Sequence, residues 1–185
     1  MTHRPKFRRL SREVLVENPW HRYCLDRYAQ GDAGEGDYYY LDMPGSCAVI
    51  PFFADGSTAL LRVERYLLGT WLWEFPIGGM REGEDPVEVA KRELREEAGI
   101  LAERWARLGS FAPYKGASNE ICHYFLAKGL SPCPRELEPS EDISVHRMPF
   151  AEARRRLIEQ DLPDGQSLAG LLLLERHRSS SRPPG

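Results

Sequence analysis

The sequence predicts one α/β (α+β) domain in which helices cover the faces of a mixed β-sheet. Three observations carry this. Segments rich in β-branched and aromatic residues stand both before and after a strongly patterned helix, and further helical patterns close the chain. The length, 185 residues, suits a single domain with a small appendage. No repeat of roughly 20–50 residues is present, which removes solenoids and propellers.

In chain order, residues 1–36 are polar and charged, with glycines gathered at the end (Gly31, Gly34, Gly36), and read as an N-terminal arm rather than a core element. The main domain is expected over 37–178. Strands are expected at 38–42, 46–53 and 58–66, the last two divided by the turn pair Asp55-Gly56. A helix over 86–98 has its boundaries written locally. Asp85 can cap it, Pro86 suits its first position, Glu88 completes an Asp-x-x-Glu pattern, and Gly99 stops it. Strands follow at 105–112, 121–127 and 143–148, then helices at 149–160 and 167–177. In the first of these helices Phe150, Ala153, Leu157 and Ile158 fall on one face. Residues 179–185 lack apolar content and read as a disordered tail.

Composition narrows the function classes. With 25 Lys+Arg against 28 Asp+Glu the net charge is −3, which excludes a strongly basic nucleic-acid binder. No apolar run approaches the roughly 18–20 residues of a membrane-spanning helix. The basic opening (Arg4, Lys6, Arg8, Arg9) is not followed by the apolar stretch of a secretory signal. Cys24, Cys47, Cys122 and Cys133 show no paired spacing, so reduced thiols in a cytoplasmic protein are expected, a zinc site or disulfide framework being the alternative.

The chemistry is concentrated in residues 78–100, GGMREGEDPVEVAKRELREEAGI. At about 100° per residue Val87, Ala90, Leu94 and Ala98 form the stripe that packs on the sheet. Glu93, Glu96 and Glu97 form an adjacent acidic stripe. Like charges one turn apart cost roughly 0.2–0.5 kcal/mol per pair, and Arg92 and Arg95 compensate only part of it. A divalent cation that prefers hard oxygen, Mg²⁺ or Mn²⁺, is the natural further compensator. The alternative is a solvated, salt-bridged helix face. Gly78, Gly79 and Gly83 favour the metal reading because they let backbone approach an ion or a phosphate, and Glu84 stands within reach of the same ion.

This stretch resembles the Nudix box. Gly78, five residues, Glu84, seven residues, then Arg92-Glu93-Leu94-Arg95-Glu96-Glu97-Ala98-Gly99-Ile100 match all nine specified positions over 23 residues. The resemblance implies a Nudix-type α/β/α sandwich and a Mg²⁺-dependent hydrolase of nucleoside diphosphates linked to a further group. It implies that Glu93 and Glu97 are the principal metal ligands, that Glu96 assists, that Arg92 buttresses the glutamates, and that the Ile77 carbonyl completes a coordination shell. Neutralising a diphosphate and acidifying a bound water is what such ions do.

More weakly, residues 18–175 are similar to ADP-ribose pyrophosphatases. Asn18-Pro19-Trp20 resembles that subfamily's arm, which exchanges across a homodimer and offers aromatic contact to adenine. Trp20, Tyr23 and Tyr28 are the candidates, stacking being worth about 1–3 kcal/mol per base; packing of the arm on its own domain is the alternative. Arg65, at the end of Leu61-Arg62-Val63-Glu64-Arg65-Tyr66, resembles a substrate arginine that would clamp phosphate in bidentate fashion. Glu74, before Phe75-Pro76, resembles a substrate-binding or loop-stabilising residue. Gly116-Ala117-Ser118-Asn119-Glu120 is similar to the segment after the box, but the subfamily's proline, fifteen positions past the box, is Lys115 here. That departure opens other nucleotide sugars, and Lys115 itself is a candidate phosphate contact. The catalytic base is sought in the acidic stretch of Glu136, Glu138, Glu141 and Asp142, with Glu141 first, also as an extra metal ligand, and Glu138 second. Hydrolysis of another nucleoside diphosphate, a dinucleotide or a modified dNTP, is the second enzyme reading. A non-catalytic nucleotide-sugar sensor is the third. The implied partner is a small-molecule nucleotide sugar, with no nucleic acid and no membrane.

Overall fold

The computed structural model describes residues 6–136 and 142–180. Glu138 and Glu141 lie outside the described residues.

The arm is built as a sheet. Phe7–Glu17 (β1), Arg22–Gln30 (β2) and Glu35–Asp42 (β3) form an antiparallel three-stranded sheet in the order β1-β2-β3. Only the last of these overlaps a segment read as a strand from sequence. Every position of β1 is exposed, so its composition shows no inward face for alternation to reveal. The sheet meets the domain at residues 117–119, where the Leu41 N–H donates to the Ala117 carbonyl at 2.8 Å and the Leu41 carbonyl accepts from the Asn119 N–H at 3.3 Å. The nearly buried Asp42 carboxylate accepts from Arg12 at 3.3 Å, pairs with Arg22 at 3.0 Å and accepts from the Asn119 amide at 2.6 Å.

The domain itself carries Ser46–Pro51 (β4), Ser57–Arg65 (β5), Thr70–Glu74 (β6), Ile77–Gly79 (β7), Pro86–Ala98 (α1), Ile100–Phe111 (β8), Cys122–Pro132 (β9), Ile143–Pro149 (β10), Phe150–Glu159 (α2) and Gly165–Ser180 (α3). One sheet runs β7-β4-β9-β8 and the other β10-β5-β6. β4 and β9 pair in parallel while the other pairings are antiparallel, so the sheet is mixed as expected. Two cores follow from strand alternation. Cys47 and Val49 face α1 through Val89, Ala90 and Leu94, while Ala48 and Ile50 face α2 and α3 through Leu157, Leu171 and Leu174. Helices thus cover both faces, an α/β/α sandwich.

α1 occupies the residues its sequence signals named. The Asp85 carboxylate accepts from the Val87 N–H at 3.0 Å, and Gly99 adopts φ 65° at the C-terminal cap. Glu88 does not close the reciprocal capping pattern; its carboxylate pairs with Lys91 at 2.7 Å. β8 and β9 run longer than read from sequence, by five residues at each strand's outer end. α3 continues through Ser180, two residues into the stretch read as tail. No helix of the described residues is long and apolar enough to cross a membrane.

Candidate active site

The site lies along the free edge of β7. Strand residues turn their N–H and C=O groups alternately to either side. The carbonyl of Pro76 and the N–H of Met80 are used toward β4 and the residue before it, accepting from Val49 at 2.9 Å and bonding Gly45 at 2.9 Å. Ile77 and Gly79 therefore face outward, toward α1. The Ile77 N–H donates to Glu97 at 3.1 Å, and the Gly79 carbonyl accepts from Arg92 at 3.0 Å. The Ile77 carbonyl shares the lateral direction of its N–H, so it opens on the edge where Glu97 lies.

Gly78 faces the other way from Gly79. It pairs with Cys47 on the α1 side, and a Cβ there would collide with the Glu93 carboxylate. Only glycine lets that carboxylate lie on the strand. Cys47 is no competitor as a nucleophile, because burial pushes its thiol up to about 12.

Arg92 binds the acidic residues together. It reaches Glu93 at 2.9 Å, Glu84 at 2.7 Å and Glu96 at 3.8 Å. Burial opposes its charge, yet the hydrogen bonds it donates to Glu93 and Glu84 hold its guanidinium above the ordinary value. Glu84 is braced twice, by the Arg81 N–H at 2.7 Å and by Arg92, and these hold its carboxyl below the ordinary range. Arg95 links Glu96 at 3.1 Å to Glu136 at 3.3 Å. Glu97 is the most buried of the four box glutamates, at 7% exposure. Among the described residues no three acidic, histidine or cysteine side chains stand together as a finished metal cage. The donors present are hard: carboxylates of Glu93, Glu96 and Glu97 beside an outward carbonyl. That set fits Mg²⁺ or Mn²⁺ chemistry.

The other sequence candidates separate. Arg65 and Glu74 are brought together, the guanidinium forked on the carboxylate with Nε at 2.8 Å and Nη2 on the second oxygen. Glu74 is 2% exposed, so the fork read as a phosphate clamp is committed to a buried carboxylate. That bond, working against burial, raises the Arg65 pKa, and the charges of Glu97 and Asp164 add to it. Lys115 is exposed in the loop before β9. Trp20 sits exposed at the β1–β2 turn, Tyr23 stacks on Tyr39 at 6.2 Å, and Tyr28 packs edge-on against Phe7 at 5.4 Å. Tyr28 lines a cavity of about 530 Å³ on the arm with Phe7, Arg9, Asp26, Gln30 and Tyr38. Sequence reasoning passed over Ser46 and Gln166, whose side chains meet at 3.2 Å. They belong to strand and helix termini with no motif of their own.

The NUDIX domain model matches residues 43–177. The chain belongs to the Nudix family. This Nudix chain is 32% identical over 131 residues to an ADP-ribose pyrophosphatase of Mycobacterium tuberculosis, covering 69% of this chain and 63% of that one. It is 29% identical over 134 residues to an ADP-ribose pyrophosphatase of Bacillus subtilis, covering 71% and 72%. It thus spans somewhat under two thirds of the mycobacterial protein's length. Its fold matches the crystal structure of an ADP compounds hydrolase with a TM-score of 0.75 at 21% identity, over 96% of this chain and 97% of that one.

Proposed function

We propose that this Nudix chain hydrolyses the diphosphate linkage of ADP-ribose or a related nucleoside diphosphate sugar, giving a nucleoside monophosphate and a sugar phosphate, with Mg²⁺ or Mn²⁺ as cofactor. The observation that carries the reading is the β7 edge, where Glu93 lies on Gly78 and Glu97 on the Ile77 N–H beside the outward Ile77 carbonyl, with Arg92 bracing Glu93. The pyrophosphatase relatives support the substrate class.

Glu93 and Glu97, assisted by Glu96 and the Ile77 carbonyl, would hold the metal. Bound there, Mg²⁺ supplies charge neutralisation of the diphosphate and a more acidic water. Arg92 fixes the rotamers of Glu93 and Glu84 so that little reorganisation is left for the moment of binding. Glu74 holds Arg65, whose charge and that of Glu97 attract one another. The base role is assigned to Glu141, then Glu138, on the sequence resemblance. A homodimer with exchanged arms and a cytoplasmic location complete the proposal.

The test is a panel of ADP-ribose, UDP- and GDP-sugars, NADH and modified dNTPs incubated with the purified protein and millimolar Mg²⁺, products being separated by chromatography. A nucleoside monophosphate and a sugar phosphate are expected from ADP-ribose or another nucleotide sugar. Turnover confined to dNTPs or dinucleotides, or none at all, rejects the reading.

A further inference from the structure

Residues 133–136 are seated on the C-terminal end of α1. The Cys133 N–H donates to the Gly99 carbonyl at 2.9 Å, and the Glu136 N–H donates to the Glu96 carbonyl at 3.3 Å. Arg135 lies over Gly99, where a Cβ would come within 2.7 Å of its Cγ, and its guanidinium donates to the Ile143 carbonyl at 2.9 Å. The side chain of Arg95 reaches from the helix to this segment. Its Nη2 faces two carboxylates at once, Glu96 Oε1 at 3.1 Å and Glu136 Oε2 at 3.3 Å. Its Nε is buried and has no hydrogen-bond partner among the described residues. Arginine grips a carboxylate best through two parallel N–H···O bonds. Here one nitrogen is divided between two acids while a second donor goes unused, so neither acid holds the guanidinium fully. The other oxygen of Glu96 faces Arg92 Nε at 3.8 Å.

We infer that Arg95 is a positioning residue shared by Glu96 and Glu136: when Glu96 turns to a divalent cation, Arg95 passes to Glu136, so metal binding and the seating of residues 133–136 on α1 favour one another. The inference rests on the reading of Glu96 as a ligand of Mg²⁺ or Mn²⁺ above. Its physical ground is competition for one carboxylate. In the metal-free protein two guanidinium groups supply the positive charge at Glu96. Arg92 stays tied to Glu93 and Glu84 whatever Glu96 does, whereas Arg95 has its alternative in Glu136. Glu136 therefore lowers the cost of freeing Glu96. The effect is reciprocal: whatever the seated segment adds to metal affinity, bound metal adds to the seating.

The test is a double-mutant cycle on Mn²⁺ affinity in EDTA-treated protein, read from the electron paramagnetic resonance of free Mn²⁺ without substrate. Arg95→Met keeps the aliphatic stem and removes the competitor, so Mn²⁺ should bind roughly fivefold more tightly, at the lower end for coupled sites because the pair is half-exposed. Glu136→Gln leaves Arg95 to Glu96, so Mn²⁺ should bind roughly fivefold more weakly. In the Arg95→Met background Glu136→Gln should change nothing, because the shared guanidinium is gone. Charges acting independently give effects that add. An additive cycle, or an unchanged affinity in either single variant, overturns the inference. Hydrogen exchange gives the reciprocal readout: millimolar Mg²⁺ should slow exchange of the Glu136 N–H in wild type and not in Arg95→Met. Equal slowing in both also overturns it. The two side chains are 42% and 61% exposed, so both variants should keep the wild-type melting temperature. A wild type that binds no Mn²⁺ at millimolar concentration removes the metal reading together with this one, whereas binding with an additive cycle removes the coupling alone.

Discussion

At the scale of single residues, Glu97 separates charge from fold. Glutamine at this position can still accept from the Ile77 N–H with its amide oxygen, so Glu97→Gln keeps the 3.1 Å bond and removes one negative charge. Several kcal/mol of charge stabilisation passing through the metal correspond to about a hundredfold or more in kcat. The expected outcome is that loss with a melting temperature close to wild type, read by steady-state kinetics beside calorimetry. Retained activity would show that the carboxylate serves the fold only. Glu84 carries a different signature. Its folded-state pKa lies below the ordinary 4.5, through the Arg81 N–H first and then Arg92. A depressed carboxyl contributes stability that is fully present above the unfolded value and lost as pH falls through the folded one. Between pH 5 and the acid limb near pH 3, ordinary carboxyl territory, wild type should lose melting temperature more steeply than Glu84→Gln. Parallel curves would remove Glu84 from the acid response.

Elements differ in how openly the sequence writes them. α1 is written by its caps, and Asp85→Ala tests that. Losing the bond to the Val87 N–H should cost about 1 kcal/mol, a fall in melting temperature of about 2–4 °C for a domain of this size. No change would mean that packing of Val89, Ala90 and Leu94 alone sets the helix. The acidic stripe was equally legible, since side-chain direction follows from helical period once the helix is fixed. What stayed hidden is what other elements decide. β7 has three residues, two of them glycine, and becomes a strand only because β4 lies beside it. β6 is five residues between a turn and a proline, and its register is set by β5. The commitment of Arg65 to Glu74 needs strands β5 and β6 paired, which no residue spacing announces. Glu120, Ser46 and Gln166 meet from positions as far as 120 residues apart, so a linear reading has nothing to connect them.

For the molecule as a whole, the question is what covers the arm. Its three strands stand on the domain through Asp42 and the loop before β9, leaving Val16 61%, Phe7 57% and Tyr39 51% exposed. β1 is the outer strand of that sheet, and its far edge presents unpaired N–H and C=O groups over eleven residues. A long exposed edge with apolar side chains invites pairing with another chain unless it is covered. A second copy covering it places each arm on its neighbour, as the proposed exchange requires. Light scattering after size exclusion should therefore give twice the 21.2 kDa chain mass at micromolar concentration. Val14→Lys with Val16→Lys puts two charges on the strand without touching Arg12, Asp42 or the β7 edge, so the domain should stay folded while the mass halves. If the wild type runs as a monomer, or the double variant remains a dimer, the arm is not the contact. In the first case Trp20 and Tyr23 cannot be contributed across a dimer, and substrate recognition must come from the residues of one chain.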